Sequence, residues 1–151
     1  MVVYFEYNKI LISNFVARDI GVTEDNYIPF HFAQATLALR VRQLVKGRVV
    51  LIVSGMEKDE YFALSSNLRN FGANRVMFLR CSPTSSLEDD FTSVRLKSKP
   101  NLVLVAAGIG MAKIIFDMSF LNCPIIDIGS YIHVLSKKND SAHAGFFVYP
   151  R

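Results

Sequence analysis

Four places in this 151-residue chain set small or polar residues directly after an apolar run, and chemistry would be done there. They are Ser54-Gly55-Met56-Glu57, Arg80-Cys81-Ser82, Ala107-Gly108-Ile109-Gly110 and Asp127-Ile128-Gly129-Ser130. Glycine lets a ligand approach the backbone closely, and a turn that opens a helix presents free N–H groups to phosphate. Gly108-Ile109-Gly110 suits phosphate best. It has two glycines of the dinucleotide fingerprint, but the position three after Gly110 is Lys113, so a tight strand-to-helix turn reads equally well. Asp127 ends an apolar strand, where a buried carboxylate without a task is costly. It can accept hydrogen bonds from a ribose or sugar hydroxyl, help to hold a metal, or cap the helix that follows. Asp127 is thus the candidate catalytic residue. Ser54, Gly55, Gly108, Ile109, Gly110, Gly129 and Ser130 form the candidate ligand-binding set.

Other polar residues read more simply. Ser54 and Ser130 have no base at motif spacing. His133 stands alone and reads as structural. Glu88-Asp89-Asp90 can attract a divalent cation, but an acidic run on a loop is ordinarily solvated. Cys81 and Cys123 lie in different segments without metal spacing and read as free buried thiols. There is no nucleophile elbow, P-loop, HExxH or paired-cysteine zinc signature.

The elements that must position these residues follow from periodicity. Val49–Gly55, Arg75–Cys81, Asn101–Gly108 and Cys123–Gly129 are short continuous apolar runs, as expected of strands buried on both faces. Between them lie helix patterns. Glu57–Phe71 has acids in its first turn and a stripe of Tyr61, Leu64, Leu68 and Phe71. Met111–Leu121 would bury Met111, Ile114, Ile115 and Met118. Before the first strand, His31–Lys46 would form a helix burying Phe32, Ala35, Leu39, Leu44 and Val45, stopped at Gly47. Tyr131–Ser136 would begin a last helix. Phe91–Leu96 reads as a short helix or a strand. Val2–Tyr7 and Ile10–Val16 would pair as a hairpin, 17–30 reads as a loop, and Gly145–Pro150 as an edge strand. Strand–helix–strand units of this length imply right-handed crossovers. The expected fold is therefore α/β and Rossmann-like, with a mainly parallel sheet of about four to six strands and helices on both faces.

Composition sets bounds on function. The chain is 51% hydrophobic and 20% charged, which suits a single globular domain of this length. Its core would be residues 49–135, preceded by a divergent hairpin and helix over 1–48. The longest apolar runs are far short of the roughly 20 residues that span a bilayer. The N-terminus carries Glu6 and Lys9 and has no basic lead, so it reads as neither a signal peptide nor a membrane span. A cytoplasmic, non-membrane protein is the expectation. The net charge is +4, but Arg40, Arg42, Lys46 and Arg48, then Arg95, Lys97 and Lys99, then Lys137 and Lys138 lie scattered along the chain. They read as solvated helix ends and loops, so nucleic acid is not the expected partner. Phe146–Tyr149 can serve as an edge strand or as a homodimer contact.

The stretch from Val49 to Leu135 resembles the C-terminal half of GT-D-type glycosyltransferases. The likeness rests on a strand ending in glycine before a helix, here LIVSG, on AAGIGMAKIIFD, and above all on the Asp-Ile-Gly of Pro124–Ser130. The family's Gly-Asp-Gly-Glu motif has no counterpart in residues 1–48, and its histidine after Asp-Ile-Gly is Ser130 here. The resemblance implies a nucleotide sugar at the strand ends, with Gly108 and Gly110 near the diphosphate. It also implies a divalent cation, Mn or Mg, and places Asp127 near a hydroxyl or that metal. Two other readings remain: a non-catalytic Rossmann-like module that binds a nucleotide or a protein, and another nucleotide-cofactor transferase such as a methyltransferase.

Overall fold

Residues 30–136 are described by the structure, a computed structural model. All four strands belong to a compact unit that begins at Ala33. The expected hairpin in residues 2–16, residues 17–29 of the expected loop and the edge strand at 145–150 lie outside the described residues, and Phe30, the last residue of that expected loop, opens a helix instead. The elements run α1 (Phe30–Val45), β1 (Val49–Ser54), α2 (Lys58–Asn70), β2 (Arg75–Arg80), β3 (Leu102–Ala106), α3 (Met111–Asp117), β4 (Ile125–Asp127) and α4 (Tyr131–Ser136). Short 3₁₀ turns, Gly108–Gly110 and Ser119–Leu121, flank α3.

The strands form one sheet in the order β2-β1-β3-β4, and every pairing is parallel. This is the α/β, Rossmann-like arrangement that the apolar runs predict. Val49 pairs with Arg75, Val50 with Leu102 and Val103 with Ile125. All strands therefore start at one edge of the sheet and finish at the other. Burial follows position: β1 and β3 are central and almost wholly buried, whereas β2 and β4 are half-exposed. Alternation across the pleat sends neighbouring side chains to opposite faces. Val50, Ile52, Leu102 and Leu104 meet α1, α2 and α4 on one face. Leu51, Val53, Val103 and Val105 meet α3 and the connection after β2 on the other.

Several details differ from the sequence reading: the helix expected over Met111–Leu121 ends at Asp117, and β2 and β4, as the outer strands of the described sheet, are not buried on both faces. Leu39 is 76% exposed, and the core stripe of α1 is Leu37, Val41 and Val45. Those three recur every fourth residue along one side, whereas Leu39 sits about 200° round the helix from Leu37. In α2 and α3 the deep positions are Leu64, Leu68 and Ile114, with Met118 buried just after α3; Tyr61, Phe71 and Met111 pack at the margins, and Ile115 is not part of the core. The segment Phe91–Leu96 is neither helix nor strand. It nonetheless contributes Phe91, Val94 and Leu96 to the second face, covering the sheet where a crossover helix would lie.

Candidate functional site

The order of the sheet reverses between β1 and β3. From β1 the chain crosses by α2 to β2 on one side, and from β3 it crosses by α3 to β4 on the other side and the opposite face. Ligands of open α/β sheets bind in the crevice outside the strand ends at such a reversal. Here the loop that follows β2 lies in that position. A Cβ on Gly55 would sit 2.9 Å from the Pro83 Cα, and one on Gly110 would sit 2.7 Å from the Ser86 carbonyl carbon. Ser86 is buried and its hydroxyl donates to the Ala107 carbonyl at 2.9 Å. Gly55 and Gly110 thus admit the protein's own loop. That is the close approach the glycine pattern signalled, with backbone in the place of ligand.

The loop is tied down throughout. Cys81 N–H donates to the Ser54 carbonyl at 3.2 Å, and Ser82 N–H donates to Asp89 Oδ2 at 2.6 Å. Lys113 Nζ donates to the Asp89 carbonyl and to Asp117 Oδ2, each at 2.5 Å. Asp117 also accepts the Phe91 N–H at 3.3 Å. The acidic run Glu88–Asp90 is therefore part of an anchored loop, and Lys113, where a third fingerprint glycine would stand, is its anchor. Ser54 is buried, and its hydroxyl accepts the Met56 N–H at 3.2 Å, which closes the turn into α2.

Next to this plug, the β3–β4 side is open. Gly108 has φ +56°, is exposed, and a Cβ there would meet nothing within 4 Å. Ile109 beside it is 84% exposed. Val105 is in register with Asp127, so the turn after β3 and the end of β4 are neighbours. Asp127 is half-buried and accepts the Gly129 N–H at 2.9 Å. This is a turn made by the aspartate on its own backbone, two residues on, rather than a cap on the first turn of α4. Burial pushes the Asp127 carboxyl above the ordinary carboxylate range, against the lowering effect of that one hydrogen bond. Gly129 is half-buried and Ser130 exposed; their carbonyls accept the Ile132 and His133 N–H groups that start α4. His133 Nδ1 lies 3.4 Å from Glu60 Oε1, a surface link between α4 and α2.

The candidate residues thus separate into two groups. Gly108, Ile109, Asp127, Gly129 and Ser130 share the β3–β4 end, whereas Ser54, Gly55 and Gly110 lie under the loop. Both cysteines are free. Burial, with Asp89 nearby, pushes the Cys81 thiol up, and burial raises Cys123 too, so neither is primed as a thiolate nucleophile. A shallow surface depression lies beside Ile115, Cys123 and Ile125, towards the start of β4 and away from Asp127. Among the described residues no group of three or more His, Cys, Asp or Glu side chains converges. The described side chains therefore do not make a cage for Mn or Mg. No helix among the described residues is long and apolar enough to cross a membrane. Comparison with family models, with curated proteins and with solved structures finds no match to this chain.

Proposed function

We propose that this domain binds a nucleotide-type ligand over the C-terminal ends of β3 and β4, with Asp127 accepting hydrogen bonds from ribose or sugar hydroxyls. One observation carries the reading. Asp127 is a half-buried carboxylate at a strand end, satisfied by a single backbone N–H and next to the unobstructed Gly108 turn. A carboxylate held this way is desolvated and aimed, which favours a ligand that brings its own donors. Vicinal hydroxyls do so, as ribose does for an acidic residue at a strand end in dinucleotide-binding folds.

Charge refines the choice. The same edge carries Glu57, Asp59, Glu60 and the 88–90 acids against Lys58, Arg80 and Lys113. The acids outnumber the cations there, which favours recognition through the ligand's hydroxyls rather than through its phosphates. A nucleotide sugar, the class implied by the Asp-Ile-Gly resemblance, offers most hydroxyls and is the ligand class we favour. Glycosyl transfer is the activity that would follow. Isothermal titration of the full chain with nucleotide sugars, free nucleotides and S-adenosylmethionine tests the reading. Saturable binding of a nucleotide sugar, reduced at least tenfold in Asp127→Asn, supports it. Binding unaffected by that substitution, or binding of S-adenosylmethionine alone, overturns it.

A further inference from the structure

The parallel sheet gathers at one edge the cations that the sequence keeps apart. Every strand starts there, and α1 and α2 end there. Arg42 stands in the last turn of α1 and Lys46 just beyond it. Arg48 precedes β1, Arg69 lies in the last turn of α2, and Arg75 opens β2. Lys97 and Lys99 come immediately before β3. The chain has no Asp or Glu in residues 26–56, 61–87 or 91–116, which include all these segments.

The surface is built and not merely adjacent. Gly47 N–H donates to the Gly72 carbonyl at 2.8 Å, and Asn74 Nδ2 donates to the Gly47 carbonyl at 2.9 Å. Asn101 N–H donates to the Val49 carbonyl at 2.8 Å, while Val49 N–H donates to Asn101 Oδ1 at 3.0 Å. Arg75 Nη1 donates to Ser98 Oγ at 3.2 Å, joining the start of β2 to the segment before β3. The Arg42 guanidinium lies 5.3 Å from the centre of the Phe71 ring, which links α1 to the end of α2. Arg42, Lys46, Arg69, Arg75, Lys97 and Lys99 are all exposed, and among the described residues no carboxylate pairs with any of them.

Helix dipoles account for Arg42 and Arg69, since cations favour helix C-termini. They do not account for Arg48, Arg75, Lys97 or Lys99, which precede strands. Holding like charges together on one face costs self-repulsion unless a polyanion relieves it. We infer that this edge binds the phosphodiester backbone of a nucleic acid. Arginine forks match phosphate geometry, and Asn70, Asn74 and Asn101 add amide N–H groups of the kind that hydrogen-bond to phosphate and sugar, whereas the Ser98 hydroxyl donates to Met77 Sδ. A membrane surface fits less well, because interfacial binding needs apolar side chains beside the cations. Within 42–48, 69–75 and 95–101, the segments that carry the cations, no large apolar residue is exposed; the exposed Phe116 and Phe120 lie in the segment before β4, where residues 114–124 carry no cation.

The test is fluorescence anisotropy of the full chain with a labelled RNA strand and a labelled DNA duplex of about 20 nucleotides, at about 50 and 200 mM salt. For four to five phosphate contacts the duplex affinity should fall on the order of 10²-fold across that range. Lys97→Gln with Lys99→Gln, or Arg42→Gln with Lys46→Gln, should weaken low-salt binding and lower the salt slope by about two. Lys58→Gln, at the opposite edge, should bind as the parent does, and circular dichroism confirms that each variant is folded. No binding at low salt, or full binding by both double variants, overturns the inference. So does attachment to phosphatidylserine vesicles through the same lysines without nucleic-acid binding, which would make the surface a membrane contact.

Discussion

Asp127 shows how stability and function oppose each other at one residue. Burial raises its pKa in the folded chain above the unfolded value. Between those two values the folded state holds more protons, so stability falls as pH rises through that window and stays lower above it. The ionised form at neutral pH is thus a cost that ligand hydroxyls would offset. Asp127→Asn keeps an oxygen for the Gly129 N–H and removes the charge. Thermal melts should show the variant at least as stable as the parent at pH 7, with any advantage shrinking as the pH is lowered towards about 4. A variant less stable than the parent at pH 7 would mean that the carboxylate is structural. The two turn glycines offer a second contrast. Gly110→Ala pushes a methyl against the Ser86 backbone, which cannot rotate away, and should cost about 1–3 kcal/mol in urea unfolding. Gly108→Ala meets no atom within 4 Å, and its cost of about 1–2 kcal/mol comes from the positive φ alone. Only Gly110→Ala should also raise hydrogen exchange across residues 82–90.

At the scale of elements, the strands were the most legible part. Val49–Ser54 and Leu102–Ala106 are uninterrupted apolar runs because each is covered on both faces, and the sequence pattern reports that coverage directly. The connection between β2 and β3 was not legible as a plug. No local pattern announces that Pro83 and Ser86 will meet Gly55 and Gly110, since those contacts join residues far apart in the chain. A glycine after a strand signals close approach without naming what approaches. Lys113 is the element-scale counterpart: an apparent gap in a fingerprint that in fact anchors the loop, with Asp117 almost buried beneath it. Removing Asp117 leaves the Phe91 N–H and the Lys113 ammonium without their shared acceptor. Asp117→Ala should cost about 1–3 kcal/mol and speed proteolysis within residues 82–91. Lys113→Met should loosen the same loop with a smaller loss, since it keeps the apolar stem. If the loop stays as protected as in the parent, the clamp is not what holds it.

At the scale of the whole molecule, the two sheet edges differ in sign. Glu57, Asp59, Glu60, the 88–90 acids and Asp127 lie where the strands finish, and Arg42, Lys46, Arg48, Arg75, Lys97 and Lys99 where they start. In the sequence this polarity appears as scattered basic residues and a mild net charge of +4. It becomes visible only when parallel pairing brings distant segments into register. Such a molecule should meet a charged surface in one orientation, because steering follows the local potential rather than the net charge. The consequence is measurable with two substitutions of equal charge change. On a cation exchanger at neutral pH, Lys97→Gln should elute at clearly lower salt than the parent, since it thins the face that touches the resin. Lys58→Gln removes the same charge from the edge that faces away and should elute close to the parent. Equal displacement of the two variants would show that the whole-molecule charge governs binding, and would leave the basic edge without the distinct potential argued for it.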